Sequence, residues 1–178
     1  SYDKTGIFYL FSTEAEWEYA CRAGSTTTYY FCNDTAQLVK YAWYKKNSNN
    51  KFKKAGLKLP NAWGLYDMLG NVSEWTLDHY EEKALEKLPD TCRDPFTTPN
   101  TARYPKTLRG GSFADYGVQL RSANRIKSEA VWNRRDPQIP KSKWWLTEGS
   151  FIGFRIMRPL QQPSAAAIEE FFKKYLGK

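Results

Sequence analysis

Asp67 and Glu74 are two carboxylates that bracket the turn in the stretch Asn61-Ala-Trp-Gly-Leu-Tyr-Asp-Met-Leu-Gly-Asn-Val-Ser-Glu-Trp75. Gly64, Gly70 and Asn71 admit left-handed backbone, which predicts a folded loop and not a helix. Trp63, Leu65, Tyr66, Met68, Leu69, Val72 and Trp75 demand burial and would pin that loop. A carboxylate pair with backbone carbonyls between them suits a hard, oxygen-seeking cation such as calcium. The spacing is not that of an EF-hand, and a plainer alternative stands beside it: Asp67 caps a turn and Glu74 meets an arginine.

Other chemistry-bearing residues are sparse. Cys21, Cys32 and Cys92 are an odd number with no CxxC pair, so the chain is not a disulfide scaffold. Cys21 follows Trp17 and Ala20 at helical spacing and reads as a buried free thiol. His79 is the sole histidine, which excludes a His-rich zinc or non-haem iron site.

The elements that position these residues come next. Ile7–Phe11 reads as strand-like. Ser12 or Thr13 predicts a helix start, with Glu14 and Glu16 in the first turn, Trp17, Ala20 and Cys21 on one face, and Gly24 at the end. Residues 25–60 read as extended loops with aromatic anchors at Tyr29, Tyr30, Phe31, Tyr41, Trp43 and Tyr44. A short strand is expected over Thr76–Tyr80, an exposed helix over Asp78–Leu88, and loop from Pro89 to Pro105. Leu108–Phe113 and Gln119–Arg125 read as strands, with Arg121 and Arg125 reaching towards carboxylates. The Trp132–Trp145 insert reads as a loop pinned by indoles, and Phe151–Met157 as the last strand. Ser164 caps a C-terminal helix whose apolar face holds Ile168, Phe171, Phe172, Tyr175 and Leu176. That face either packs on its own domain or docks on a partner.

The chain has 178 residues, enough for one domain with a real core and an appendage. Its 16% aromatic content sits against a mean hydropathy of −0.70, which points to a compact, loop-rich α+β domain. No run approaches the ~18 apolar residues of a membrane span, and no secretory signal is visible. The chain opens at Ser1 without a Met, which reads as a processed or truncated start. Net charge is +8, much of it in Lys45, Lys46, Lys51, Lys53, Lys54 and Lys58. Such a loop either binds polyanions or is a solvated, mobile surface segment, and the second reading is preferred. No nucleic-acid module accompanies the lysines.

The central stretch resembles the core motif of the formylglycine-generating enzyme (sulfatase-modifying factor) family. Three further segments follow the same order: Ser12-Thr-Glu-Ala-Glu-Trp-Glu-Tyr-Ala-Cys-Arg-Ala-Gly24, Leu108-Arg-Gly-Gly-Ser-Phe113 and Gly153-Phe-Arg155. The resemblance implies a C-type-lectin-like fold with few helices, short twisted strands and long structured loops. It divides the chain into a family domain over 1–159 and a helical tail over 160–178. It also implies a substantial portion before the first helix that is missing here, whether cleaved or supplied by another chain.

Enzymatic members oxidise a sulfatase cysteine to formylglycine with oxygen and a copper(I) ion held by two thiolates. The positions that match those thiolates are Asp115 and Leu120, and no cysteine follows Cys92. The resemblance therefore implies no copper site and no oxidase activity, although Ser112 matches a family active-site serine. It implies a structural calcium held by the side chains of Asp67 and Glu74 and the carbonyls of Gly70 and Val72. The chain is similar to bacterial gliding-motility and type IX secretion lipoproteins, which keep the shell without the oxidase site. The expected function is a non-catalytic binding or scaffold domain, periplasmic or on the cell surface, working with a protein partner. The alternatives are a family enzyme and a lectin-like module for carbohydrate or polyanion.

Overall fold

The structure is a computed structural model that describes residues 6–89, 91–92, 95–97, 104–135, 145–146 and 149–176. Helix α1 spans Glu14–Arg22. The Thr13 hydroxyl accepts the Glu16 amide at 3.2 Å, and the Glu16 carboxylate accepts the Thr13 amide at 2.8 Å. This reciprocal cap satisfies two of the donors a helix start leaves open. The helix ends on Ala23 in left-handed conformation, one residue before the glycine expected to stop it.

Helix α2, Leu38–Tyr41, grows out of a 3-10 turn over Thr35–Gln37 whose entry is capped by the Asp34 carboxylate. Both pieces lie where the sequence predicts only loop. Four residues are too few for a readable helical period; the signal was the cap at Asp34.

Strand β1, Ser73–His79, lies inside a four-stranded sheet. Strand β2, Lys106–Arg109, pairs antiparallel with it, and β3, Arg125–Lys127, pairs antiparallel with β2. Strands β4, Arg134–Arg135, and β5, Trp145–Leu146, form a separate two-stranded ribbon. Strand β6, Ile152–Gly153, runs parallel to β1, with Glu74 opposite Gly153. Helix α3, Ala165–Leu176, starts from Ser164, whose hydroxyl accepts the Ala167 amide.

Several expected elements come out differently. Ile7–Phe11 contributes only an isolated bridge between Leu10 and Met157, and the strand expected over Phe151–Met157 shrinks to β6 plus that bridge. The exposed helix expected over Asp78–Leu88 is replaced by a 3-10 turn at Leu85–Lys87, because β1 carries Asp78 and His79 into the interior. Gln119–Arg125 is not a strand: Gly117–Leu120 is a 3-10 turn that drives Leu120 inward, and extended pairing starts only at Arg125. Arg121 caps that turn by donating to the Val118 carbonyl instead of reaching a carboxylate. Residues 136–144 of the expected indole-pinned insert lie outside the described residues.

The core gathers α1 and the aromatic loops over the central stretch. Trp17, Cys21, Tyr29, Tyr30, Leu38, Ala42, Tyr44, Met68, Leu69 and Leu120 form one buried cluster, with Phe31 and Tyr41 stacked at 4.1 Å on its flank. Burial pushes the Cys21 thiol up to about 12, as expected of an inert free cysteine. Arg109 is fully buried between α1 and the sheet. It is paired with Glu18 and Glu14 and donates to the carbonyls of Ser122, Ala123 and Asn124. Arg125 completes the cluster with two bonds to Glu14 at 2.6 and 2.8 Å. Two arginines against two carboxylates fix the α1–sheet angle, since removal of any partner would strand a buried charge. The apolar face of α3 packs on its own chain: Phe171 and Phe172 meet Phe8 edge-on at 5.2 and 6.2 Å, and Tyr175 meets Phe96.

Candidate functional site

The central loop is fastened at each of its polar turns. Asn61 donates to the carbonyls of Ala20 and Cys21 and accepts the amides of Trp63 and Leu65, which ties the loop to the end of α1. Asp67, Gly70 and Asn71 adopt positive φ. Gly70 is dictated by packing, because a Cβ there would run into the Trp43 carbonyl oxygen. Its amide donates to the Gly110 carbonyl at 2.9 Å, and the next amide, Asn71, donates to Trp43 O at 2.8 Å.

The four residues singled out as cation ligands fall into two settings. Asp67 is buried; one carboxylate oxygen accepts the Gly56 amide at 2.7 Å, while Oδ1 is buried without a hydrogen-bond partner. A buried carboxylate oxygen in that condition calls for a cation or a water. Glu74 is buried as well, and Oε2 accepts the Trp17 indole at 2.7 Å and Arg155 Nε at 3.1 Å, while Oε1 accepts Arg155 Nη2 at 2.9 Å. Arg155 also donates to the Tyr66 carbonyl. The plainer expectation for Glu74, an arginine partner, is therefore what the fold contains. Gly70 and Val72 lie on the backbone between the two carboxylates. The residues fit a calcium ion in part: Asp67 offers a free oxygen, whereas a cation on Glu74 would face the Arg155 guanidinium.

The position of the family's serine is closed differently. Ser112 is buried in the loop that follows β2, and its hydroxyl donates to Asp115 Oδ2 at 2.7 Å while its amide donates to the same oxygen at 2.8 Å. Leu120 is fully buried in the aromatic core. A carboxylate spent on a local turn and a core leucine do not fit copper(I), which wants two soft thiolates.

Two features were missed from sequence. The sequence leaves the arginine that meets Glu74 unspecified, and the structure identifies it as Arg155 of the Gly153-Phe-Arg155 segment. Asp78 falls both in the strand expected over Thr76–Tyr80 and in the exposed helix expected over Asp78–Leu88, and the strand is what forms. Asp78 is buried, accepts the Glu14 and Thr97 amides at 2.6 and 3.0 Å, and burial pushes its carboxyl up to about 6. Only the continuation of β1 places it there, and the charge alternation after it masks that.

A short mixed sheet, few helices and long fastened loops define an α+β domain of C-type-lectin-like, formylglycine-generating-enzyme-like type. The family model described as "Sulfatase-modifying factor enzyme 1-like domain" matches residues 3–139, and the chain belongs to that family. Among solved structures it is similar to PvdO from Pseudomonas aeruginosa, at TM-score 0.68 and 29% identity over 89% of this chain and 56% of that one. It is 32% identical to a formylglycine-generating enzyme of Mycobacterium tuberculosis, over 56% of this chain and 38% of the enzyme. It is also 32% identical to the serine/threonine-protein kinase pkn1 of Chlamydia pneumoniae, over 65% of this chain and 18% of that protein. The chain thus spans well under half the length of these two relatives.

Proposed function

We propose that this chain is a non-catalytic binding or scaffold domain of the family, acting as a subunit or accessory of a larger protein assembly. The observation that carries the reading is the pair Asp115 and Leu120, at the positions matched to the copper thiolates. The first is consumed by Ser112 and the second lies in the core. A further support is modular use of the domain: in the kinase relative the matched part is 18% of the protein, so the fold is carried alongside other parts. The resemblance to gliding-motility and secretion lipoproteins supports a periplasmic or cell-surface setting.

A structural calcium at the central loop belongs to the same proposal. Asp67 is its best-supported ligand, because Oδ1 is buried and unpartnered. Gly70, Val72 and Glu74 are the ligands the resemblance names. A melting temperature raised by calcium, lowered by chelator and insensitive to both in Glu74→Ala is the expected pattern; no response in the parent protein removes the ion from the proposal.

Native mass spectrometry of the protein purified from its own source tests the assembly. A complex with a second, larger chain is expected. An isolated monomer would contradict the scaffold reading and favour the lectin-like alternative, to be followed by glycan screens.

A further inference from the structure

Residues 35–66 contain seven lysines, Lys40, Lys45, Lys46, Lys51, Lys53, Lys54 and Lys58, and no Asp, Glu or Arg. Among the described residues none of these lysines forms an ion pair. The backbone of this exposed segment is tied to the rest of the domain at several points. Ser48 is fully buried and donates to the Phe113 carbonyl at 2.9 Å. Asn71 brackets Lys53 by accepting its amide and donating to its carbonyl, Asp67 holds the Gly56 amide, and the Leu59 amide donates to the Lys40 carbonyl. Lys58 is itself tied down, with Nζ on the Val39 carbonyl and 3.8 Å from the Trp43 ring centroid. Fastened at 48, 53, 56 and 59, the backbone presents the residues between these points to solvent.

Those residues are not only cationic. Phe52 is 65% exposed, Leu57 59% and Leu59 49%, interleaved with Lys51, Lys53, Lys54 and Lys58. A soluble polyanion would leave these apolar side chains in water. Arginine forks, which recognise phosphate or sulfate groups bidentately, are absent from the stretch. Lysines are compact point charges suited to a diffuse anionic surface, and adjacent apolar side chains suit the boundary between headgroups and acyl chains. A rigid loop also loses little conformational freedom on docking.

We infer that the 45–59 loop is a docking surface for anionic lipid bilayers, with the exposed Lys46, Lys51 and Lys54 held over the headgroups and Phe52, Leu57 and Leu59 seated at the acyl boundary. This reading is independent of the missing thiolates.

The test is flotation of the full chain with vesicles of equal parts phosphatidylcholine and phosphatidylglycerol, against phosphatidylcholine alone. Binding to the anionic vesicles only, and weakening with salt, is expected. Replacing Lys46, Lys51 and Lys54 together by Gln should weaken it by roughly a hundredfold, from about fivefold per lysine near a charged surface. Phe52→Ala should weaken it by about tenfold while leaving retention on heparin unchanged. All four side chains are exposed, so the fold should survive, and Leu57→Ser provides an independent second apolar variant. Equal or absent binding to both vesicle types overturns the inference. So does vesicle affinity unchanged by Phe52→Ala and Leu57→Ser, which would assign the lysines to a soluble polyanion.

Discussion

The Ser112 hydroxyl donates to Asp115 at 2.7 Å, and that same carboxylate oxygen also accepts the Ser112 amide. The position matched to a copper thiolate is thus a hard oxygen donor occupied by its own turn. The Asp115 carbonyl accepts the Lys45 amide, so this turn also anchors the start of the basic loop. The Asp115 side chain thus closes its own turn on Ser112, while its backbone carbonyl holds the start of the basic loop.

Glu74 and Arg155 should behave as a coupled pair. Removing one partner leaves a charge poorly compensated, so Glu74→Ala should lower unfolding free energy by about 3 kcal/mol in urea titrations. Arg155→Ala should act in the same direction, and the double variant should cost less than the sum. Additive losses would mean that the two do not stabilise each other.

Gly70→Ala combines a positive φ with a Cβ placed against the Trp43 carbonyl. A loss of about 3 kcal/mol is expected, from overpacking and backbone strain together. A loss below about 1 kcal/mol would show that the 43–70 contact relaxes easily.

Asp78 gives a pH signature of defined sign. Burial raises its carboxyl from 3.8 to about 6, so between those values the folded state binds more protons than the unfolded one. Its contribution therefore disfavours folding at neutral pH, and that penalty is relieved as pH falls from about 6 to about 4. The stability difference between parent and Asp78→Asn should shift in the parent's favour over that window, by on the order of 2 kcal/mol. A pH-independent difference would show that Asp78 does not titrate there.

The parts of this fold that sequence makes legible are those written in local signals. Thr13 and Glu16 specify their own cap, Ser164 starts α3, and the glycine-rich turn at Gly70 and Asn71 appears as a folded loop. Short strands such as β3 and β6 exist only because their neighbours pair with them, so the strand expected over Gln119–Arg125 overlaps β3 at Arg125 alone and the one expected over Phe151–Met157 is longer than β6. The hydrogen bonds that fasten the basic loop are not legible in its composition, because Asn71, Asp67 and Phe113 are distant in sequence. The two readings of Glu74 could not be separated until Arg155 was placed in space.

The proposed function holds that this chain does not carry out the family's cysteine oxidation. Incubation of the purified protein with a sulfatase-motif peptide, copper, oxygen and a thiol reductant, read by mass spectrometry of the peptide, tests it most directly. The account predicts that the cysteine stays unconverted, beside a functional family enzyme that converts it. Clear formation of formylglycine would contradict the roles given to Asp115 and Leu120.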